Sequence, residues 1–302
     1  MPKKIIVILI VSIIAVVGIA VFLNKSKPPK PKDTVVEAPI TLENLLKDNA
    51  KASELELTEL NLLCADGLPN SENLDIEQYQ KKVEEWASLV GTETFKYLPQ
   101  FKQNPQNFNN SEAYFKVLTL ITVLEQDLKI KYNPALMSDT SAKSLNSTAF
   151  FKDSRDLFIN GVIDKRLGTC VSLPVLITAV GRELGYPLKL VPSKAHLFVR
   201  WEDNNERFNI ESGGNGLKTY PDSYYKSWPF PLTKQEMESG FFLKSLTPEE
   251  ELGIFLETRA LCLMENNRLD EAQTAFKKVL ELIPNHPHIR NYIKTDHKLA
   301  RK

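Results

Sequence analysis

The chain has 302 residues, 42% hydrophobic and 25% charged, with 12 Gly and 18 Pro, an ordinary globular composition that excludes wholesale disorder, a collagen-like repeat and a multi-span membrane protein. Its 38 basic and 38 acidic side chains balance, but six lysines and no acid fall within residues 1–32, leaving 32 bases against 38 acids and a net of −6 in the rest. A mildly acidic body lacks the basic face of nucleic-acid binders, so nucleic acid is excluded as a partner.

From Ile5 to Leu23 the chain runs 19 residues without a charge. As a helix it would rise about 28 Å, close to the apolar thickness of a bilayer. Lys3 and Lys4 with Gly18-Ile19-Ala20 also fit a cleaved signal peptide, but Val21-Phe22-Leu23 carry the apolar run past that site, so an uncleaved anchor over 1–23 is the favoured reading. Residues 24–39 form a Lys/Pro-rich stalk that proline holds extended. Four lysines after the span against two before it argue for a cytoplasmic body, whereas a short Lys-containing N-terminus before a Pro-rich stalk suits a single-pass anchor with its body outside. The extracytoplasmic orientation is taken here, with the cytoplasmic one as its alternative.

Residues 40–160 read as a helical region. Asp75–Val90 places Ile76, Tyr79, Val83, Trp86 and Val90 on one helical face. Ser111–Ile130 opens on a capping serine and carries Tyr114, Phe115, Leu118, Ile121, Leu124 and Leu128. Both aromatic stripes read as core rather than as a cofactor cleft, and no cofactor is expected.

Residues 161–246 change character. A helix after Gly168 carries Leu173, Leu176, Ile177, Val180 and Leu184, and stops at Gly185-Tyr186-Pro187. Alternating segments follow at Leu188–Val191, Leu197–Trp201 and Arg207–Ile210, with Asp203-Asn204-Asn205 as a turn. Helix followed by antiparallel hairpin is an α+β signature. Residues 247–302 return to helix, and 253–286 resemble one tetratricopeptide unit, with Ala260, Ala272, Phe276 and Pro284 at the small, small, aromatic and terminal-proline places. One helical pair cannot bury its own face, so it should dock on the body or on a partner.

Chemistry concentrates in the middle segment. Cys170 lies at the start of its predicted helix, where free N–H groups and the positive dipole end favour a thiolate. His196 is the only histidine of the middle, since His286, His288 and His297 lie in the tail. Pairing Trp201 with Glu206 sets His196 across from Glu211, with Asn209 diagonal on the same face. A nucleophile at a helix start, a base on a strand and an orienting group on the next strand meet the needs of an activated thiol. Cys64 and Cys262 fall on apolar helical faces and read as core. His286-Pro287-His288 lacks a third ligand, so no metal site is expected. Gly213-Gly214-Asn215-Gly216 reads as a loop permitting close approach rather than a phosphate cradle.

The segment RLGTCVSLPVLITAVGRELGYPLKLVPSKAHLFVRW with RFNIESGGNG resembles the transglutaminase-like superfamily, in particular its bacterial branch with a helical N-terminal region and tetratricopeptide-like C-terminal helices. The likeness is sharpest over 160–216 and extends loosely over 55–285, taking in ELNLLCADGLP and the KYNP turn. It implies a papain-like α+β core in which Cys170, within Gly-x-Cys-x-Ser, begins the core helix and His196 comes from the next strand. Glu211 stands where family enzymes usually carry Asp in an Asp-Pro pair, and Asn209 is the alternative orienting group. The implied activity is that of a cysteine hydrolase or acyltransferase on a carboxamide or peptide carbonyl, with a peptide or protein as substrate. The Cys170 backbone N–H would be one oxyanion donor. The rival reading is a non-catalytic peptide- or protein-binding scaffold on the same fold.

Overall fold

A computed structural model describes residues 40–136, 150–213 and 216–293, and helices and strands are numbered here among these residues. The candidate anchor at 1–23 and the stalk at 24–39 lie outside them, and no helix among the described residues is long and apolar enough to cross a membrane.

The first half is helical. Helix α1 (Leu42–Lys47) starts where the Thr41 hydroxyl accepts the Asn44 N–H. Helix α2 (Leu57–Ala65) is buried on nearly every side, as a central helix must be. Helix α3 spans Ile76–Gln103, with Asp75 accepting the Gln78 N–H at its start. Its face of Val83, Trp86, Ala87 and Val90 is buried, as the spacing predicts. It continues well beyond Val90, where Lys96 pairs with Glu93 at the surface and Phe101 stacks on the buried Phe115 at 5.3 Å. Helix α4 (Glu112–Thr122) begins at Ser111, whose hydroxyl accepts the Tyr114 N–H. The predicted continuation to Ile130 is replaced by a single π-helical turn over Val123–Asp127.

Two short strands then bring distant segments together. Strand β1 (Lys131–Tyr132) runs parallel to β2 (Leu167–Gly168), with Tyr132 paired to Gly168. Between them lies α5 (Ile159–Lys165). Helix α6 (Ser172–Glu183) follows β2 and is buried along most of its length. It ends as the sequence predicts: the Gly185 N–H reaches the Arg182 carbonyl and the Tyr186 N–H that of Gly181. Gly185 supplies the positive φ of +72° that this C-cap needs. Gly181 lets the next strand approach, since a Cβ there would lie 2.3 Å from Leu188 Cδ1.

That strand opens a three-stranded antiparallel sheet, β3 (Leu188–Ser193), β4 (His196–Glu202) and β5 (Arg207–Ile210), in sequence order. Leu190, Leu197, Val199, Trp201 and Ile210 join the main helical core, while Val191 and Phe198 pack with Tyr225 on the other face. The β4–β5 register differs from the sequence expectation. Val199 pairs with Ile210 and Arg200 with Asn209, so the four-residue loop sits one position later in the chain. The Asp203 carboxylate accepts the Asn205 and Glu206 N–H groups, and the Asp203 N–H reaches the Glu206 carbonyl, which fixes the tip there. The shift changes each pairing by two residues and therefore preserves the faces.

Short helices α7 (Asp222–Tyr225) and α8 (Lys234–Glu238) lead to the C-terminal pair, α9 (Pro248–Glu265) and α10 (Leu269–Leu282). Ala260, Ala272 and Phe276 are fully buried between them. The pair docks on the body. Glu251, 1% exposed, accepts two hydrogen bonds from Arg182 of α6 at 2.9 and 2.6 Å. Arg259 donates to the carbonyls of Cys64 and Asp66, and Arg268 to that of Gly67. The carbonyl of the buried Cys64 needs such a donor once water is removed.

Candidate active site

The turn before α6 is held from several sides. The Thr169 N–H donates to Ser172 Oγ at 3.0 Å, the Val171 N–H to Thr169 Oγ1 at 3.2 Å, and the Thr169 hydroxyl to the Asp156 carbonyl at 2.9 Å. Gly168 is required by crowding, since a Cβ would lie 2.6 Å from the Leu173 side chain. The Thr169 carbonyl already accepts the Leu173 N–H, so Cys170 sits at the opening of the helical ladder. It keeps partial exposure, whereas Cys64 and Cys262 are fully buried; all three are free thiols. Burial pushes the Cys64 thiol up to about 12 and that of Cys262 up to about 11, as expected of core cysteines.

His196 opens β4 and is buried. Its Nε2 lies 2.9 Å from Glu211 Oε2, and its ring neighbours the Cys170 side chain. Burial alone would lower the imidazole pKa; the Cys170 and Glu211 side chains outweigh it and raise the pKa from 6.5 to about 9. The imidazolium is thus favoured at neutral pH. Two aromatic rings wall the imidazole: Trp228 meets it edge-on at 4.7 Å and Tyr225 lies nearly parallel at 6.1 Å.

Glu211 follows β5 and bridges to Lys218. Its Oε2 also accepts the Tyr225 hydroxyl at 3.2 Å, and its Oε1 the Gly213 N–H at 2.8 Å. Burial raises its pKa, but His196 and these donors overcome that and hold it below 4.5. A buried carboxylate with three partners is a fixed anion beside the imidazole.

The structure therefore brings Cys170, His196 and Glu211 together and places Asn209 elsewhere. Asn209 accepts from Arg200 Nε at 2.8 Å and donates to the Tyr220 carbonyl and to Asp222 at 2.9 and 2.7 Å. It braces the ion pair of the buried Arg200 with the partly exposed Asp222, and it is Glu211 that meets the His196 ring. The tail histidines pair with carboxylates, His286 with Glu257 at 3.2 Å and His288 with Glu236 at 2.8 Å. No group of three metal-ligating side chains occurs among the described residues.

Sequence reasoning missed several neighbours. The Tyr132 phenol neighbours Cys170, and burial with the Cys170 side chain raises its pKa while the Cys170 backbone N–H lowers it. A two-residue strand leaves no periodic signal, and only the KYNP turn marked this place. Tyr225 and Trp228, in the aromatic-rich YYKSW stretch, passed unnoticed for want of a register. A cavity of about 380 Å³ opens beside the site, lined by Leu124, Glu125, Tyr132, Leu173, Ile177 and Ser212 among others. Glu125, on the π-turn, accepts the Gly216 N–H at 2.7 Å and so ties the glycine-rich segment to this rim. Ser212 Oγ is buried with no partner.

Residues 77–223 match the family described as "Transglutaminase-like superfamily". The chain carries a domain of the transglutaminase-like superfamily. The matched span contains Tyr132, Cys170, His196 and Glu211, is narrower than the loose 55–285 likeness, and stops before α9 and α10. No curated protein and no solved structure matches the chain.

Proposed function

We propose that this transglutaminase-like domain is a cysteine hydrolase or acyltransferase that works through a thioester. The observation that carries the reading is the hydrogen-bonded His196–Glu211 pair set beside the partly exposed Cys170. The imidazolium favours a Cys170 thiolate, which attacks the carbonyl carbon of a carboxamide or peptide bond. The C–S bond forms as the carbonyl π pair moves onto oxygen. Collapse of this intermediate expels the amine, which takes its proton from His196. Neutral His196 then removes a proton from water or an incoming amine, which attacks the thioester and restores the thiol pair. Glu211 keeps the ring oriented throughout. The adjoining cavity, largely apolar with Ser212 and Glu125 on its wall, suits the acyl portion of a peptide.

The apolar run at 5–23 and the stalk at 24–39 support a single-pass tether, with the body extracytoplasmic. A non-catalytic scaffold would need neither an accessible thiol nor a buried ion pair behind it. The test is acylation by p-nitrophenyl acetate. A hydroxylamine-sensitive acetyl group on Cys170, lost in Cys170→Ala and in His196→Ala, is the expected result. Absence of that adduct in a folded protein would leave the scaffold reading in its place.

A further inference from the structure

The proposed chemistry needs a second oxyanion donor beside the Cys170 backbone N–H, and the helix opening itself offers none that the sequence identifies. The β1–β2 pairing sets Tyr132 against Gly168, two residues before Cys170, and the Asn133 N–H donates to the Gly168 carbonyl at 2.8 Å. This fixes the Tyr132 backbone beside the nucleophile turn. Tyr132 lines the cavity beside the site together with Leu173 and Ser212. The phenol neighbours Cys170 closely enough to feel both its side chain and its backbone N–H.

We infer that Tyr132 is a catalytic residue, the side-chain oxyanion donor of this site. The inference rests on the thioester reading above. In the resting site the Tyr132 phenol and Cys170 are neighbours. An entering carbonyl oxygen accepts from both the Tyr132 O–H and the Cys170 N–H. As the C–S bond forms, the carbonyl pair becomes an oxyanion held by these two groups, and no proton leaves the phenol. Burial and the neighbouring Cys170 and Glu211 raise the phenol pKa, so it stays a neutral donor throughout. Preorganised donors of this kind act where charge develops in the transition state.

Alkylation and acylation separate this role from nucleophile activation. Iodoacetamide reacts at sulfur by displacement and forms no oxyanion, whereas p-nitrophenyl acetate must pass through one. In the full chain, Tyr132→Phe should lower the ratio of acylation rate to alkylation rate at Cys170 by at least about tenfold, since loss of one oxyanion donor costs on the order of 10²–10³ in rate. Continued protection of Cys64 and Cys262 from iodoacetamide reports that the variant is folded; if Tyr132→Phe exposes them, Tyr132→His, which keeps a side-chain donor, is measured instead and should retain more of the ratio than Tyr132→Leu. A ratio unchanged in Tyr132→Phe, or equal in the His and Leu variants, overturns the assignment and leaves the thioester reading standing. Failure of the native chain to acylate at Cys170 at all overturns both.

Discussion

Replacing Glu211 by Gln keeps the shape of the side chain and removes the charge facing His196. The imidazole stands at about 9 against its ordinary 6.5, which corresponds to about 3 kcal/mol in favour of the charged ring. Burial works against that preference, so it depends on Cys170 and Glu211. With an amide at 211 the proton affinity of His196 should fall by more than about tenfold, roughly 1.4 kcal/mol. The assay is an NMR titration of the His196 ring protons. Because the Cys170 side chain also acts on the ring, the same comparison in a Cys170→Ala background isolates the carboxylate's share. Iodoacetamide alkylation of Cys170 near neutral pH should slow by about tenfold in Glu211→Gln as the cation beside the sulfur is lost. Stability should follow. The raised His196 value contributes stability that is complete below 6.5 and is lost as pH climbs through about 9. The lowered Glu211 value contributes above 4.5 and is lost as pH falls below it. Wild-type Tm should therefore hold between these two ordinary values and decline toward about 9, and Glu211→Gln should flatten the alkaline decline. An identical His196 midpoint with Glu and with Gln would refute the reasoning.

Arg182→Ala should destabilise the fold by about 3–5 kcal/mol in urea, because it strands the buried Glu251 carboxylate. The double variant Arg182→Met with Glu251→Met should recover most of that loss, and a single variant costing under about 1 kcal/mol would show that the C-terminal pair is held by other contacts. Asn209→Ala should cost about 1–3 kcal/mol by leaving Arg200 and Asp222 short of a partner. It should leave Cys170 alkylation at the native rate, and a slowed reaction would return Asn209 to the site.

The sequence carried the parts of this structure that depend on local rules. The end of α6 follows from one glycine at positive φ and a proline, and the apolar stripe of α3 from 3.6-residue spacing. Cys170 and His196 could be brought together because both fall at element starts, and the family likeness named the same pair. Glu211 was found through a register two residues off, and the finding survived because that error preserves the face of a strand. Non-local detail was not legible. Asn209 shares the face of Glu211, and only the positions of Arg200 and Asp222 reveal that it braces an ion pair. Tyr132 reaches the site through a two-residue parallel pairing, too short to leave a pattern. The docking of α9 rests on Arg182 and Arg259 meeting groups 69 and 195 residues away along the chain, and no local signal announces such contacts.

The most direct measurement of the central claim is a thiol map of the folded protein. Brief iodoacetamide treatment near neutral pH, followed by peptide mass spectrometry, should label Cys170 alone, with Cys64 and Cys262 silent until the chain is denatured. His196→Ala should slow the Cys170 reaction without exposing the other two. Equal silence of all three thiols, or a Cys170 rate indifferent to His196, would contradict an activated nucleophile at this site.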